Sequence, residues 1–240
     1  MPAVFVHGVP DTARVWHKVI RHLARKDVVT VSLPGFDSPL PAGFEPTKER
    51  YVDWLLGELR KIRGPIDLVG HDWGALLVLR SVSLQPEIAR TWAAGAAPID
   101  PDYVWHPGAQ MWQTPEIGEQ VMAATTPETM ADGLVGAGIT PEDAAETGSH
   151  IDDTMKQCIL RLYRSAVNVG VEWKDGLKAI TAPGVVFWGD RDVFVSPEFG
   201  VRMAQSTRAR LANYDCGHWW QLERPAEVAA ELEKLWREEA

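Results

Sequence analysis

The sequence predicts an α/β architecture: a mostly parallel sheet of about six strands, flanked by helices and interrupted once by a helical insertion. Three observations carry this. Short runs rich in β-branched residues recur along the chain, and they are continuously apolar rather than alternating, as strands are when both faces of a sheet are covered. Between them apolar residues return every three or four positions, the period of an amphipathic helix. From about residue 98 to 178 this alternation lapses into a stretch with helical periodicity and no convincing strand.

The elements follow in order. AVFVHG (3–8) reads as the first strand, and VWHKVIRHL (15–23) places Val15, Val19 and Leu23 on one helical face. VVTVSLPG (28–35) is the second strand, followed by YVDWLLGELRKI (51–62), with Tyr51, Leu55, Leu59 and Ile62 in line. IDLVGHD (66–72) runs into a helix expected to start near Gly74, and TWAAGAAP (91–98) is the fourth strand. EIGEQVMAA and DDTMKQCILRLYRSAV are the helical parts of the insertion. GVVFWGD (184–190) and RARLANYD (208–215) complete the strands. The tail PAEVAAELEKLWREE opens with Pro225, whose fixed φ suits a first helical position, and carries Val228, Leu232 and Leu235 on one stripe. Residues 1–97 and 179–240 are thus expected to form the core and 98–178 a helical cap, with no internal repeat.

Composition narrows the function. The 240 residues are 45% hydrophobic and 24% charged, which fits a globular chain able to bury a large core. A net charge of −9 without a basic stripe argues against nucleic acid as a partner. The apolar runs are too short to span a bilayer, so no membrane segment is expected. The start MPAVFVHGVP lacks the basic and long apolar regions of a secretory leader. A cytoplasmic location is the corresponding expectation. The two cysteines, Cys158 and Cys216, suggest neither a disulfide framework nor a metal site and read as ordinary buried thiols. No HExxH, CxxC or GxGxxG pattern is present, so neither metal nor cofactor is expected.

Three strand ends carry the chemistry. Gly70-His71-Asp72-Trp73-Gly74 sets a carboxylate between small residues where a strand turns sharply into a helix. A side chain there is pushed to the top of the sheet at a helix N-terminus, where an anion is favoured. The alternative is that Asp72 simply caps that helix, although capping does not call for both glycines. In FWGDRDVFVSPE, Asp192 lies three residues beyond Gly189. Asp190, two positions earlier, and Asp100, after the preceding strand, are the competing acids. In NYDCGHWWQLERP, His218 follows the last strand, directly after a glycine. His7 and His71 read as structural residues of tight loops without an evident carboxylate partner. His17, His22, His106 and His150 make no recognisable ligand spacing.

Nucleophile, acid and histidine in that order, each just after a strand, is the order of the α/β-hydrolases. The segments HGVPDTARVW (7–16), LPGFDSP (33–39), GHDWGA (70–75), GDRDVFV (189–195) and GHWWQLERP (217–225) resemble the epoxide hydrolase and haloalkane dehalogenase branch of that superfamily. The likeness spans nearly everything outside the insertion, and Asp followed by Trp in the turn is its most specific element. It implies an α/β-hydrolase fold with Asp72 as nucleophile, His218 as base and Asp192 as the acid that orients it. It also implies an oxyanion site made by the backbone N–H groups of Val9 and Trp73. The chemistry of a carboxylate agrees: attack on an ester would leave a labile anhydride, whereas displacement at an sp³ carbon leaves a stable alkyl ester. Family members usually have two strands before the HGxP strand, which here begins almost at Met1. Either the sheet is a reduced one of about six strands or the protein begins further upstream; a newly exposed edge would invite a homodimer.

The leaving group is then an epoxide oxygen or a halide, on a small hydrophobic substrate. Tyr163, in ILRLYRSAV, resembles the cap Tyr-Arg motif of epoxide hydrolases and would donate to the departing alkoxide; its plain alternative is an aromatic core position. The second tyrosine of that family is missing from GAQMWQTP (108–115), which carries Trp112 instead, and Tyr103 lies nearby but out of register. A halide would need N–H donors, from Trp73 and from Trp105, Trp112 or Trp173. Against that, Val9 stands where many haloalkane dehalogenases carry Asn, and Trp73 where fluoroacetate dehalogenases carry Arg. The sequence therefore favours an epoxide hydrolase giving vicinal diols. A haloalkane or haloacid dehalogenase is the alternative, and a non-catalytic ligand-binding protein on the same shell is the rival of another class.

Overall fold

The computed structural model describes residues 1–239. Six parallel strands, β1 (Ala3–Val6), β2 (Val28–Val31), β3 (Asp67–His71), β4 (Thr91–Gly95), β5 (Gly184–Gly189) and β6 (Arg210–Tyr214), form one sheet in the order β2-β1-β3-β4-β5-β6. The chain starts in β1, steps out to the edge strand β2 and returns to β3. The strand order therefore reverses between β1 and β3, and the crevice beyond such a reversal is where α/β sheets gather ligands. Val6 is in register with Gly70, which sets the loop after β1 beside the turn after β3.

Alternation along each strand sends residues to two separate cores. Val4, Val6 and Leu68 face one, together with α2 (Lys48–Leu59) and α3 (Trp73–Leu84). Ala3, Phe5 and Val69 face the other, against α1 (His17–His22) and the last helix. The continuous apolar character of β1, β3, β4 and β5 follows directly, since neither face of these strands meets water, whereas the edge strands β2 and β6 are partly exposed.

All six expected strands are present, each ending one to four residues before the apolar run does. The surplus residues leave the sheet to build loops at its carboxyl end, and the site lies there. The segment expected as one helix over 15–23 is two pieces. Thr12 Oγ1 accepts the Arg14 N–H at 3.3 Å and starts a 3-10 turn (Ala13–Trp16) before α1, and Leu23 is already extended. The second helix begins at Lys48, earlier than its apolar stripe, because Thr47 caps it through the Arg50 N–H at 3.4 Å.

Between β4 and β5 the chain forms α4 (Pro107–Gln113), α5 (Ile117–Ala124), α6 (Pro127–Gly136), α7 (Pro141–Gly148), α8 (Asp153–Ser165) and α9 (Val169–Trp173). Met122, Ile159, Leu162 and Tyr163 join the first core, and Leu134, Ile139 and Ala144 join the second. The insertion thus straddles the carboxyl edge of the sheet. Helices α10 (Pro197–Thr207), α11 (Trp220–Glu223) and α12 (Pro225–Glu238) complete the core. Among the described residues no helix is long and apolar enough to cross a membrane.

At the opposite, amino end of the sheet, Asp67 is fully buried. It accepts from Arg25 Nη1 at 2.9 Å, Arg90 Nη2 at 2.8 Å and Thr91 Oγ1 at 2.7 Å. Removing the shared carboxylate would leave two half-sequestered guanidinium groups facing each other. Asp67→Ala should therefore cost about 3–5 kcal/mol and lower Tm by about 10 °C or more. A denaturation series showing a loss below about 1 kcal/mol would assign this network to the surface class of ion pairs instead.

Candidate active site

Asp72 sits at the junction of β3 and α3 with φ 51° and ψ −123°. A residue bearing Cβ adopts positive φ at a cost of about 1–3 kcal/mol, so the surrounding packing has to enforce it. A methyl group at Gly74 would overlap the Val6 carbonyl oxygen, and one at Gly70 would overlap the Gly74 carbonyl. Only hydrogen fits on either side. The Asp72 N–H is tied to Gly95 O on β4 at 3.0 Å. The carboxylate makes no capping bond to α3. Instead its Oδ1 accepts the Val9 N–H at 2.8 Å, which leaves Oδ2 on the His218 side.

His218 Nδ1 donates to Asp192 Oδ2 at 2.8 Å, and its Nε2 lies 3.9 Å from Asp72 Oδ2. In the neutral ring Nδ1 carries the donated proton, so Nε2 holds the lone pair and faces the nucleophile candidate. Asp192 is itself fixed: its Oδ1 accepts the N–H groups of Phe194 at 2.8 Å and Val195 at 3.0 Å, inside the turn that follows β5. Of the three candidate acids, the fold brings only Asp192 to His218. Asp190 is exposed, and Asp100 pairs with Arg202 at 3.4 Å.

Charge is handled unevenly. Burial pushes the Asp72 pKa up, against the opposing pull of His218, His71 and the N–H groups of Trp73 and Val9. For His218, burial disfavours the imidazolium, but the Asp192 carboxylate beside it, with Asp72 and Asp11 further off, outweighs burial and raises the pKa. His7 behaves as a structural residue. Its Nε2 accepts the Leu33 N–H at 3.0 Å, its Nδ1 donates to Gly8 O at 2.8 Å, and burial lowers its pKa to about 4.

His71 departs from the sequence expectation, because it does face a carboxylate. Its Nε2 donates to the His218 carbonyl at 3.0 Å, and Asp11 Oδ2 stands 3.5 Å from its Nδ1. Asp11 is fully buried, and its hydrogen bond is from Trp219 Nε1 at 3.1 Å. An acid and an imidazole therefore lie directly behind the His218 backbone. The sequence hint was Asp11 inside HGVPD, but its partners lie 60 and 208 positions away.

Above Asp72 is a cavity of about 60 Å³ walled largely by aromatic rings from Trp73, Trp105, Trp112, Phe194 and Trp219, with Val9, Tyr103, Tyr163, His106 and His218. Tyr103 reaches this wall despite its register, because the loop after β4 folds inward. Its O–H makes only a long bond, 3.4 Å, to Phe194 O. Tyr163 projects from α8 into a ring of tryptophans, with centroids 5.4 Å from Trp73, 5.3 Å from Trp105 and 4.9 Å from Trp112. Burial and the nearby Asp72 charge raise the pKa of both phenols, so both remain O–H donors. Trp73 Nε1 is buried and meets no acceptor at hydrogen-bond geometry among the described residues, although it stands near enough to the Tyr163 hydroxyl to oppose the rise in that phenol's pKa. Trp173 is not part of the wall; it packs on α9 beneath the Arg80 guanidinium. His106, unremarkable in the sequence, caps α4 by accepting the Ala109 N–H on Nδ1 at 3.2 Å, and burial lowers its pKa to about 4.

The family model described as Alpha/beta hydrolase family matches residues 3–231. The rat protein called bifunctional epoxide hydrolase 2 is 25% identical over 284 residues, covering 95% of this chain and 50% of that protein. The chain spans half or less of the length of the curated relatives it matches first, 50%, 36% and 49%. Among solved structures, a haloalkane dehalogenase loop variant from Bradyrhizobium elkanii superposes with a TM-score of 0.79 at 18% identity, covering 99% of this chain and 91% of that one. An esterase from Thermogutta terrifontis superposes with a TM-score of 0.82 at 21% identity, covering 100% and 90%. At these identities the two structures carry the fold alone.

A raised carboxylate pKa has a consequence for stability. The unfolded chain releases the Asp72 proton at its ordinary 3.8, before the folded protein does, so stability falls as pH rises above 3.8 toward the raised folded-state pKa. Asp72→Asn should therefore be more stable than wild type by about 1 kcal/mol at pH 7. The advantage should fade as the pH drops toward 3.8. Paired melts across pH check this, and a lower Tm for the variant at pH 7 would contradict it.

Proposed function

The chain belongs to the alpha/beta hydrolase family, and on that premise we propose that it is a hydrolase that forms an alkyl ester on Asp72, with an epoxide as substrate and a vicinal diol as product. One observation carries the reading: the two oxygens of Asp72 are differentiated. Oδ1 rests on the Val9 N–H, while Oδ2 lies on the His218 side of a carboxylate that lines the cavity. A carboxylate so arranged attacks carbon with Oδ2. The epoxide C–O bond breaks, and the released alkoxide takes a proton from a phenol of the cavity wall, Tyr163 or Tyr103. Oδ1 is then the carbonyl oxygen of the ester, already placed on a donor that stabilises the oxyanion of the second step, with the Trp73 N–H completing the site. In that step His218 Nε2 takes a proton from water as the water attacks Cγ of Asp72. The Cγ–Oδ2 bond breaks, and the diol leaves carrying the former Oδ2 and the proton of the new carboxyl group. The imidazolium, held by Asp192, gives its proton back through solvent to the phenolate, which restores the site.

Trp73 Nε1 supports a second reading, a haloalkane substrate. A buried indole N–H without a partner is suited to a departing halide, and the aromatic wall accepts small apolar groups in either case. Tyrosine chemistry separates the two. Wild-type protein should turn over a styrene-type epoxide and Asp72→Asn should not. Tyr163→Phe should slow epoxide opening by about 10²-fold while changing displacement of a halide by less than about twofold. Equal losses on both substrate classes would make Tyr163 a packing residue. Absence of turnover on either class would favour a ligand-binding protein.

A further inference from the structure

Lys48 is out of place by local rules. It occupies the first position of α2, where the helix dipole disfavours a cation, and its side chain is only 6% exposed. Tertiary contacts explain it. The Nζ donates to Ser165 O at 2.6 Å and pairs with Glu49 Oε1 at 2.6 Å and Glu172 Oε2 at 2.7 Å, one partner for each ammonium proton. The Lys48 backbone N–H, one of the unpaired donors at the start of α2, goes to Ser165 Oγ at 2.9 Å. Ser165 Oγ donates onward to Leu162 O at 2.7 Å. Burial works against the charge, but the two glutamates outweigh it and raise the Lys48 pKa, so the clasp stays charged across the working pH range.

Ser165 ends α8, two residues beyond Tyr163. The clasp therefore joins the carbonyl end of the tyrosine-bearing helix to the amino end of a core helix, and draws in α9 through Glu172. On the other side the hydrogen bonds near the end of α8 stay within the insertion: Arg164 pairs with Glu119 at 2.7 Å and donates to Trp112 O at 3.2 Å, and Gln113 Nε2 donates to Tyr163 O at 3.3 Å. Those contacts fix α8 to α4 and α5, which sit on the cavity wall with it. Apolar packing seats the body of α8 on the core through Met155, Cys158, Ile159 and Leu162, and the Lys48 clasp is the polar tie that fixes its last turn to α2.

We propose that Lys48 is a positioning residue for Tyr163: its clasp on Ser165 sets how far the phenol reaches toward the leaving oxygen above Asp72. This rests on Tyr163 acting as the leaving-group donor. It is tested by single-turnover alkylation with styrene oxide, in wild-type and Tyr163→Phe backgrounds, together with hydrogen exchange of the α8 amides. Lys48→Met should slow alkylation about tenfold in the wild-type background and less than about twofold where Tyr163 is already Phe. It should also speed exchange in the last turn of α8. Lys48→Arg should recover most of the rate. Ser165→Ala, which keeps the ammonium, should show the same pattern more weakly and serves if Lys48→Met does not fold. Equal slowing in both backgrounds, or unchanged α8 exchange, overturns the proposal. Failure of the underlying reading looks different: the wild type is then not alkylated by the epoxide, while α8 exchange still responds to Lys48→Met.

Discussion

A carboxylate held with little water in an aromatic enclosure is the constraint on which the rest of this structure depends. The Asp72 side chain keeps 15% of its exposure, all of it in a site walled mainly by rings, and its backbone stands in a region that favours glycine. Both features oppose folding. They persist because the neighbourhood permits no alternative: β1, β3 and β4 hold the turn from below, two glycines let it close, and the Val9 N–H receives the charge.

The same constraint accounts for the layered arrangement of histidines. His218 balances Asp72, Asp192 balances His218, and Asp11 with His71 support the His218 backbone from behind. The His218 ring and the carboxylates that flank it thus come from three different strand-end loops, placed by the register of the sheet. The insertion closes the enclosure from above, and its helices reach both cores, so the wall is as firmly based as the floor. Firm placement serves chemistry, since donors fixed before reaction need not reorganise as charge develops.

Much of this was legible in the sequence because it is local. Continuous apolar runs gave six strands, and GHDWG gave the strained turn from the need for small neighbours. The order Asp72, Asp192, His218 followed from where each stands relative to a strand. What was not legible depends on distance in the chain. Nothing near Asp11 announces His71 or Trp219. Tyr103 was out of register by spacing, yet the loop carrying it folds into the cavity. His106 precedes Pro107, a readable helix start, but its place on the wall comes from α4 packing across α8. Lys48 conflicts with helix-end preference, and such a conflict is intelligible only once the end of α8 is seen beside it.

In the proposed mechanism the covalent ester on Asp72 needs His218 for its release but not for its formation. Intact mass of His218→Gln after incubation with a styrene-type epoxide tests it most directly. The account predicts that the protein gains the mass of the whole epoxide, with the added mass located on Asp72, and that Asp72→Asn/His218→Gln gains nothing. Continued turnover by His218→Gln with no adduct on Asp72 would contradict it.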